Sequence, residues 1–205
     1  ESDRRKSSGL KGLALQAYYY VKHRGFERFR RRWLKMSPSY TSDTVSNCTE
    51  DFDAFITGSD QVWNYECSGW DNRYFLDFVP ENKQKYSYAA SLGQYQFSDQ
   101  ERSLVQTLLS DYDGVSVREE SAGKLIEPLY PGTVHLCADP VLLLPKEEWL
   151  SIMSPRPYVG KYVFVYTIVD SDDVIQCAQE YGRKHGYKVI FNKKSPEFSG
   201  LFYAF

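Results

Sequence analysis

The stretch Asp53-Ala-Phe-Ile-Thr-Gly-Ser-Asp-Gln-Val-Trp-Asn64 decides the fold class. A short apolar run over 53–57 breaks at Gly58 into a cluster of polar and aromatic side chains. Buried strands of parallel sheets are short runs rich in Val, Ile and Phe, and ligands of open α/β sheets gather beyond the carboxyl ends of such strands. Gly58 through Asn64 are therefore expected at a site, with Asp60, Gln61, Trp63 and Asn64 combining a carboxylate, two amides and an indole in one turn. Such a set hydrogen-bonds sugar hydroxyls while the aromatic face covers a ring. The other reading has Ser59 or Asp60 capping a short helix and Trp63 filling the core.

Outward from this stretch, strands and helices alternate. Strands are expected at 53–57, 85–90, 113–117 and 133–137, and helices at 98–110 and 119–127, a pattern that implies βαβ units and a parallel sheet. Ser98 followed by Glu101 is a capping box. Two amphipathic helices precede the sheet, Leu10 to His23 with apolar residues at three- and four-residue steps, and Phe26 to Met36 with Phe26, Phe29 and Trp33 on one side. Pro140, Pro145, Pro155 and Pro157 mark a connector. A further strand, helix and strand are expected at 161–168, 171–185 and 187–191.

The 205 residues carry a net charge of −2, which argues against a general nucleic-acid binder, since neutralising phosphates needs an excess of Lys and Arg. Aromatic residues reach 16%, a supply that suits carbohydrate stacking as well as an ordinary core. Cys48, Cys67, Cys137 and Cys177 form no C-x-x-C pair and are expected as reduced thiols. There is no apolar run of about 18 residues and no signal-peptide core. A cytoplasmic protein is expected, with the basic run Lys22 to Lys35 either solvated or touching an anionic lipid carrier at the inner face of a membrane. His23, His135 and His185 show no metal spacing.

The opening stretch, with Tyr86-Ser-Tyr-Ala-Ala-Ser-Leu-Gly93, Val115-Ser-Val-Arg-Glu119, and Ala138-Asp-Pro-Val-Leu-Leu-Leu144 followed by Glu148-Trp149, resembles the polysaccharide pyruvyl transferase family. The similarity runs from about Phe26 to about Phe191. It implies a bacterial enzyme that moves an enolpyruvyl unit from phosphoenolpyruvate onto two hydroxyls of a sugar of a surface polysaccharide or its lipid-linked precursor, with no further cofactor. It also implies an α/β fold of two facing Rossmann-like domains, GT-B-like in plan. Residues 1–158 would make the N-terminal domain, without its usual first strand, and residues 159–205 the incomplete start of the second. The family draws a histidine and further basic residues from that second domain, so a chain ending at Phe205 is expected to turn over little substrate alone.

Ketal formation needs a cationic clamp for the donor, an acid for the methylene carbon and a base for the sugar hydroxyl. Arg118 ends an apolar strand and matches the family's arginine, which makes it the expected donor clamp; an arginine paired with Glu119 or Glu120 at a helix start is the plainer reading. Ser91 and Gly93 are expected to bring backbone N–H groups close to a donor anion, or else to form a simple strand-to-helix turn. Glu119 belongs to the cleft set. Asp139, before Pro140, is assigned there by its motif, while an aspartate in that position often stabilises a turn. No general acid is identified. A sugar-nucleotide glycosyltransferase of the same plan and a non-catalytic carbohydrate-binding fragment are the rival readings.

Overall fold

The computed structural model describes residues 24–153, 155–156, 158–168 and 171–191. They fall into two compact units, one formed by 39–153 and the other holding the remainder. The expected helix Leu10 to His23 lies outside the described residues.

In the unit 39–153, strands β1 (Ala54–Thr57) and β2 (Gln84–Ser87) pair in parallel, as do β3 (Val115–Val117) and β4 (Val134–Leu136). Parallel bridges Tyr86–Gly114 and Ala90–Val117 join the pairs. The expected strand 85–90 stops at Ser87, because Ala89 turns to φ +49° and the ladder passes to side chains. Ser87 Oγ donates to Ser116 O, and Ser116 Oγ donates to Ser87 O, both at 2.9 Å. Two buried hydroxyls thus keep the backbone groups of neighbouring strands paired where the regular ladder lapses.

The connections are helical: α2 (Tyr65–Ser68) follows β1, α3 (Asp99–Leu109) follows β2 and α4 (Glu120–Ile126) follows β3. Ser98 caps α3, and the reciprocal bond from the Ser98 N–H to the Glu101 carboxylate is 2.6 Å, completing the expected capping box. The apolar faces of α3 and α4 meet the sheet through Val105, Leu109, Ala122 and Ile126, packed with Val115 and Val117 of β3. Trp63 is 0% exposed in this core and stacks on Phe75 at 5.2 Å with the rings 2° from parallel.

Beyond β4 the expected connector contains structure: a 3₁₀ turn at Pro140–Leu142 and helix α5 (Lys146–Ile152). Pro145 stands at the N-cap, where no intrahelical N–H is needed, and Glu147 and Glu148 complement the positive helix end. Proline punctuation here starts an element instead of interrupting one.

The other unit contains α1 over residues 24–33, whose Phe26, Phe29 and Trp33 are exposed. It also contains β5 (Tyr162–Val165), α6 (Asp172–His185) and β6 (Lys188–Phe191), with β5 and β6 parallel. Gly186 ends α6 at its C-cap. His185 stacks near Tyr181 at 4.3 Å, and His135 is exposed on β4.

Candidate functional site

The residues after the carboxyl ends of β1, β2, β3 and β4 converge. β1 exits through Gly58, whose φ is +121° and whose added Cβ would lie 2.1 Å from the Tyr88 carbonyl oxygen. Only glycine lets this turn press against the neighbouring strand exit. Ser59 follows, and its hydroxyl donates to Asp139 Oδ2 at 3.0 Å, across 80 residues of sequence.

Asp139 follows β4 and is saturated by its neighbours. Oδ1 accepts from the Val141 N–H at 3.0 Å, and Oδ2 accepts from Arg118 Nη1 at 2.8 Å as well as from Ser59. The turn N–H, the guanidinium and the hydroxyl together hold the Asp139 carboxyl below the usual carboxylate range. Asp139 stabilises the turn and also pairs with Arg118: one oxygen caps the turn at Pro140, and the other faces Arg118.

Arg118 leaves β3 directly, and its N–H donates to the Ala90 carbonyl at 3.1 Å, which continues the strand contact to the edge. Its guanidinium is gripped from two sides, by Asp139 and by Glu119 Oε2 at 3.6 Å from Nε. The hydrogen bond to Asp139 raises its pKa further, with the nearby charges of Glu119 and Asp60 adding to the effect. The side chain remains 31% exposed. A cation with two carboxylate braces and an open edge is preoriented at low entropic cost.

Glu119 answers a different expectation. Its Oε1 accepts from Ser91 Oγ at 2.5 Å, from the Leu92 N–H at 3.2 Å and from the Gly93 N–H at 3.1 Å. The turn at Ser91 to Gly93 is an anion nest, as the sequence suggests, but the anion seated in it is the protein's own carboxylate. Ser91 is 0% exposed, so it meets no ligand in this arrangement. It anchors Glu119, which braces Arg118.

The loop after β1 divides its tasks. Asp60 is exposed; its Oδ1 accepts from the Gln61 N–H at 2.8 Å, while its backbone carbonyl accepts from the Ser91 N–H at 3.0 Å. Gln61 lies over Gly93, where a Cβ would come within 2.4 Å of Gln61 Oε1, and that oxygen accepts from Asn64 Nδ2 at 2.9 Å. Asn64 is buried and caps α2 through its bond from the Glu66 N–H. Trp63 donates from Nε1 to the Tyr74 carbonyl at 3.2 Å inside the core. Trp63 and Asn64 thus shape the loop from within, so the cap falls on Asn64 and not on Ser59 or Asp60. No sequence signal could have assigned Glu119 to the nest, since its partners lie 26 to 28 residues away.

Ser59, Asp60, Arg118, Glu119 and Asp139 form a polar edge with one restrained cation and three carboxylates. Among the described residues no group of three His, Cys, Asp or Glu side chains could hold a metal ion. All four cysteines are free. No helix among the described residues is long and apolar enough to cross a membrane.

The family model for polysaccharide pyruvyl transferase matches residues 11–199. No curated protein and no solved structure matches the chain.

Proposed function

The chain belongs to the polysaccharide pyruvyl transferase family, and from that premise we propose that it transfers an enolpyruvyl unit from phosphoenolpyruvate to a saccharide, with Arg118 as the donor clamp. The reaction joins two sugar hydroxyl oxygens to C2 of the donor, adds a proton to its methylene carbon and releases inorganic phosphate. A rigid cation at the phosphate or carboxylate stabilises the charge that develops as the C–O bond to phosphate breaks.

The observation that carries this reading is the bracing of Arg118 between Asp139 and Glu119 at the strand edge with its side chain still 31% exposed. Its planar fork matches a carboxylate or phosphate bidentately. Asp60 is exposed and near enough to influence Arg118 electrostatically, which leaves it as the carboxylate best placed to accept a hydroxyl proton of the acceptor. Ser91 and Gly93 act at one remove, by holding Glu119.

Titration calorimetry with phosphoenolpyruvate on the chain and on Arg118→Ala tests the clamp. Binding that disappears in the variant supports it. Binding that survives the substitution unchanged would remove Arg118 from the donor site.

A further inference from the structure

A cleft of about 520 Å³ opens in the unit 39–153 and shares no lining residue with the Arg118 edge. Its wall includes Trp70, Asp71, Asn72, Arg73, Asp77 and Ser46. Trp70 is unusual in two respects. It is 63% exposed, and its backbone sits at φ +61°, a region that bulky side chains avoid. Strained outliers of this kind persist where the surroundings enforce them, and they concentrate at ligand sites.

What enforces Trp70 is an aromatic stack. The indole lies on the Tyr65 ring at 5.3 Å and 7° from parallel, and the Tyr95 ring meets it edge-on at 6.4 Å. Tyr65 is 2% exposed, so one indole face is fixed against the core while the opposite face is turned outward. Beside it, the Tyr65 hydroxyl donates to Asn72 Oδ1 at 2.8 Å. That bond orients the Asn72 amide and leaves its two N–H donors without a partner among the described residues.

The remaining wall is polar and acidic. Asp71 accepts from Arg73 Nε at 2.7 Å and pairs with Nη2 as well, which neutralises that arginine. Asp77 makes no ion pair at contact distance among the described residues, and desolvation together with the Asp71 charge pushes its carboxyl up against the opposing pull of Arg73, the Phe78 N–H and Lys85. Because Asp71 already takes the Nε–Nη2 fork of Arg73, that fork is not offered to a phosphate, so a nucleotide is disfavoured. A fixed aromatic face flanked by amide donors and carboxylate acceptors suits a neutral pyranose, whose C–H face stacks while its hydroxyls bond at the rim.

We propose that the Trp70 cleft binds a neutral saccharide, with the Trp70 indole as the platform and Asn72 and Asp77 as hydroxyl partners. This site is independent of the donor chemistry at Arg118. Its role is to hold a glycan on the surface of the same unit.

Saturation-transfer NMR on the full chain with the methyl glycosides of glucose, galactose and mannose tests it, with uridine monophosphate as a further arm. The expected result is transfer to the ring C–H protons of at least one glycoside. That transfer should be lost in Trp70→Ala, retained in Trp70→Phe and retained in Arg118→Ala. Asn72→Asp keeps the acceptor for Tyr65 and removes the donors, so it should weaken the same signal even if Trp70→Ala fails to fold. Three results would each overturn the site: no transfer from any glycoside, transfer unchanged in Trp70→Ala or in Asn72→Asp, or Trp70-dependent binding of the nucleotide alone. None of these bears on phosphoenolpyruvate binding, which the Arg118 titration reads separately.

Discussion

Ser91 Oγ donates to Glu119 Oε1 at 2.5 Å, and the same oxygen takes the N–H groups of Leu92 and Gly93. One carboxylate thereby links the end of β2 to the arginine that leaves β3. Replacing it with a neutral isostere tests both ends of that link. Glu119→Gln should destabilise the unit by about 1–3 kcal/mol, the scale of losing charge-assisted bonds at a partly buried site. It should also raise the Kd for phosphoenolpyruvate, because Arg118 loses a brace. Denaturant melts and titration calorimetry check the two effects, and a variant with wild-type Kd would show that Arg118 needs only Asp139.

Asp139 predicts an acid limit to stability. Its folded pKa lies below its unfolded value, so its contribution is fully present above the unfolded value, about 3.9 for aspartate, and fades as pH falls through the folded one. Stability measured from pH 6 downward should therefore drop below about pH 4, and Asp139→Asn should flatten that part of the profile. An unchanged acid profile in the variant would place the titration elsewhere.

Lys85 and Asp111 give an asymmetric prediction. Lys85 is 5% exposed and its ammonium pairs with Asp111, while its backbone N–H donates to Asp113 Oδ2 and its carbonyl accepts from the Asp113 N–H. Asp111→Ala strands a buried cation and should cost about 3 kcal/mol, whereas Lys85→Met removes the charge and fills the space, and should cost distinctly less. Chemical denaturation of both variants decides; equal losses would mean that the pair matters for its attraction and not for the lysine's desolvation.

Trp63 should behave as core. Trp63→Ala is expected to cost roughly 3–5 kcal/mol of stability, the usual range for an aromatic truncated in a packed interior. Trp63→Phe, which keeps a ring against Phe75, should recover much of that. If Trp63→Phe leaves stability intact but abolishes saccharide binding, the indole faces a ligand after all.

Much of the fold was legible because periodicity and punctuation are local. The capping box at Ser98 and Glu101, the run Val115 to Val117, and the stop at Gly186 each carry their meaning within a few residues. Where the reading fell short, the cause was non-local. Strand 85–90 ends early because Ser116, on another strand, takes over its hydrogen bonds. Helix α5 sits among prolines that look like breakers until one of them is seen at the N-cap.

Residue order alone was enough for the family, the alternation of parallel strands and helices around 54–136, and the presence of Ser59, Arg118 and Asp139 at strand exits, since motifs and strand ends are read along the chain. What each of those groups faces depends on how the chain packs. Glu119 fills the nest that the sequence offered to a donor, Trp63 turns inward, and Trp70 turns outward against Tyr65. The partners of Ser59 and Glu119 are set by packing between segments that the chain brings together from 26 to 80 residues apart, and no local pattern encodes that distance.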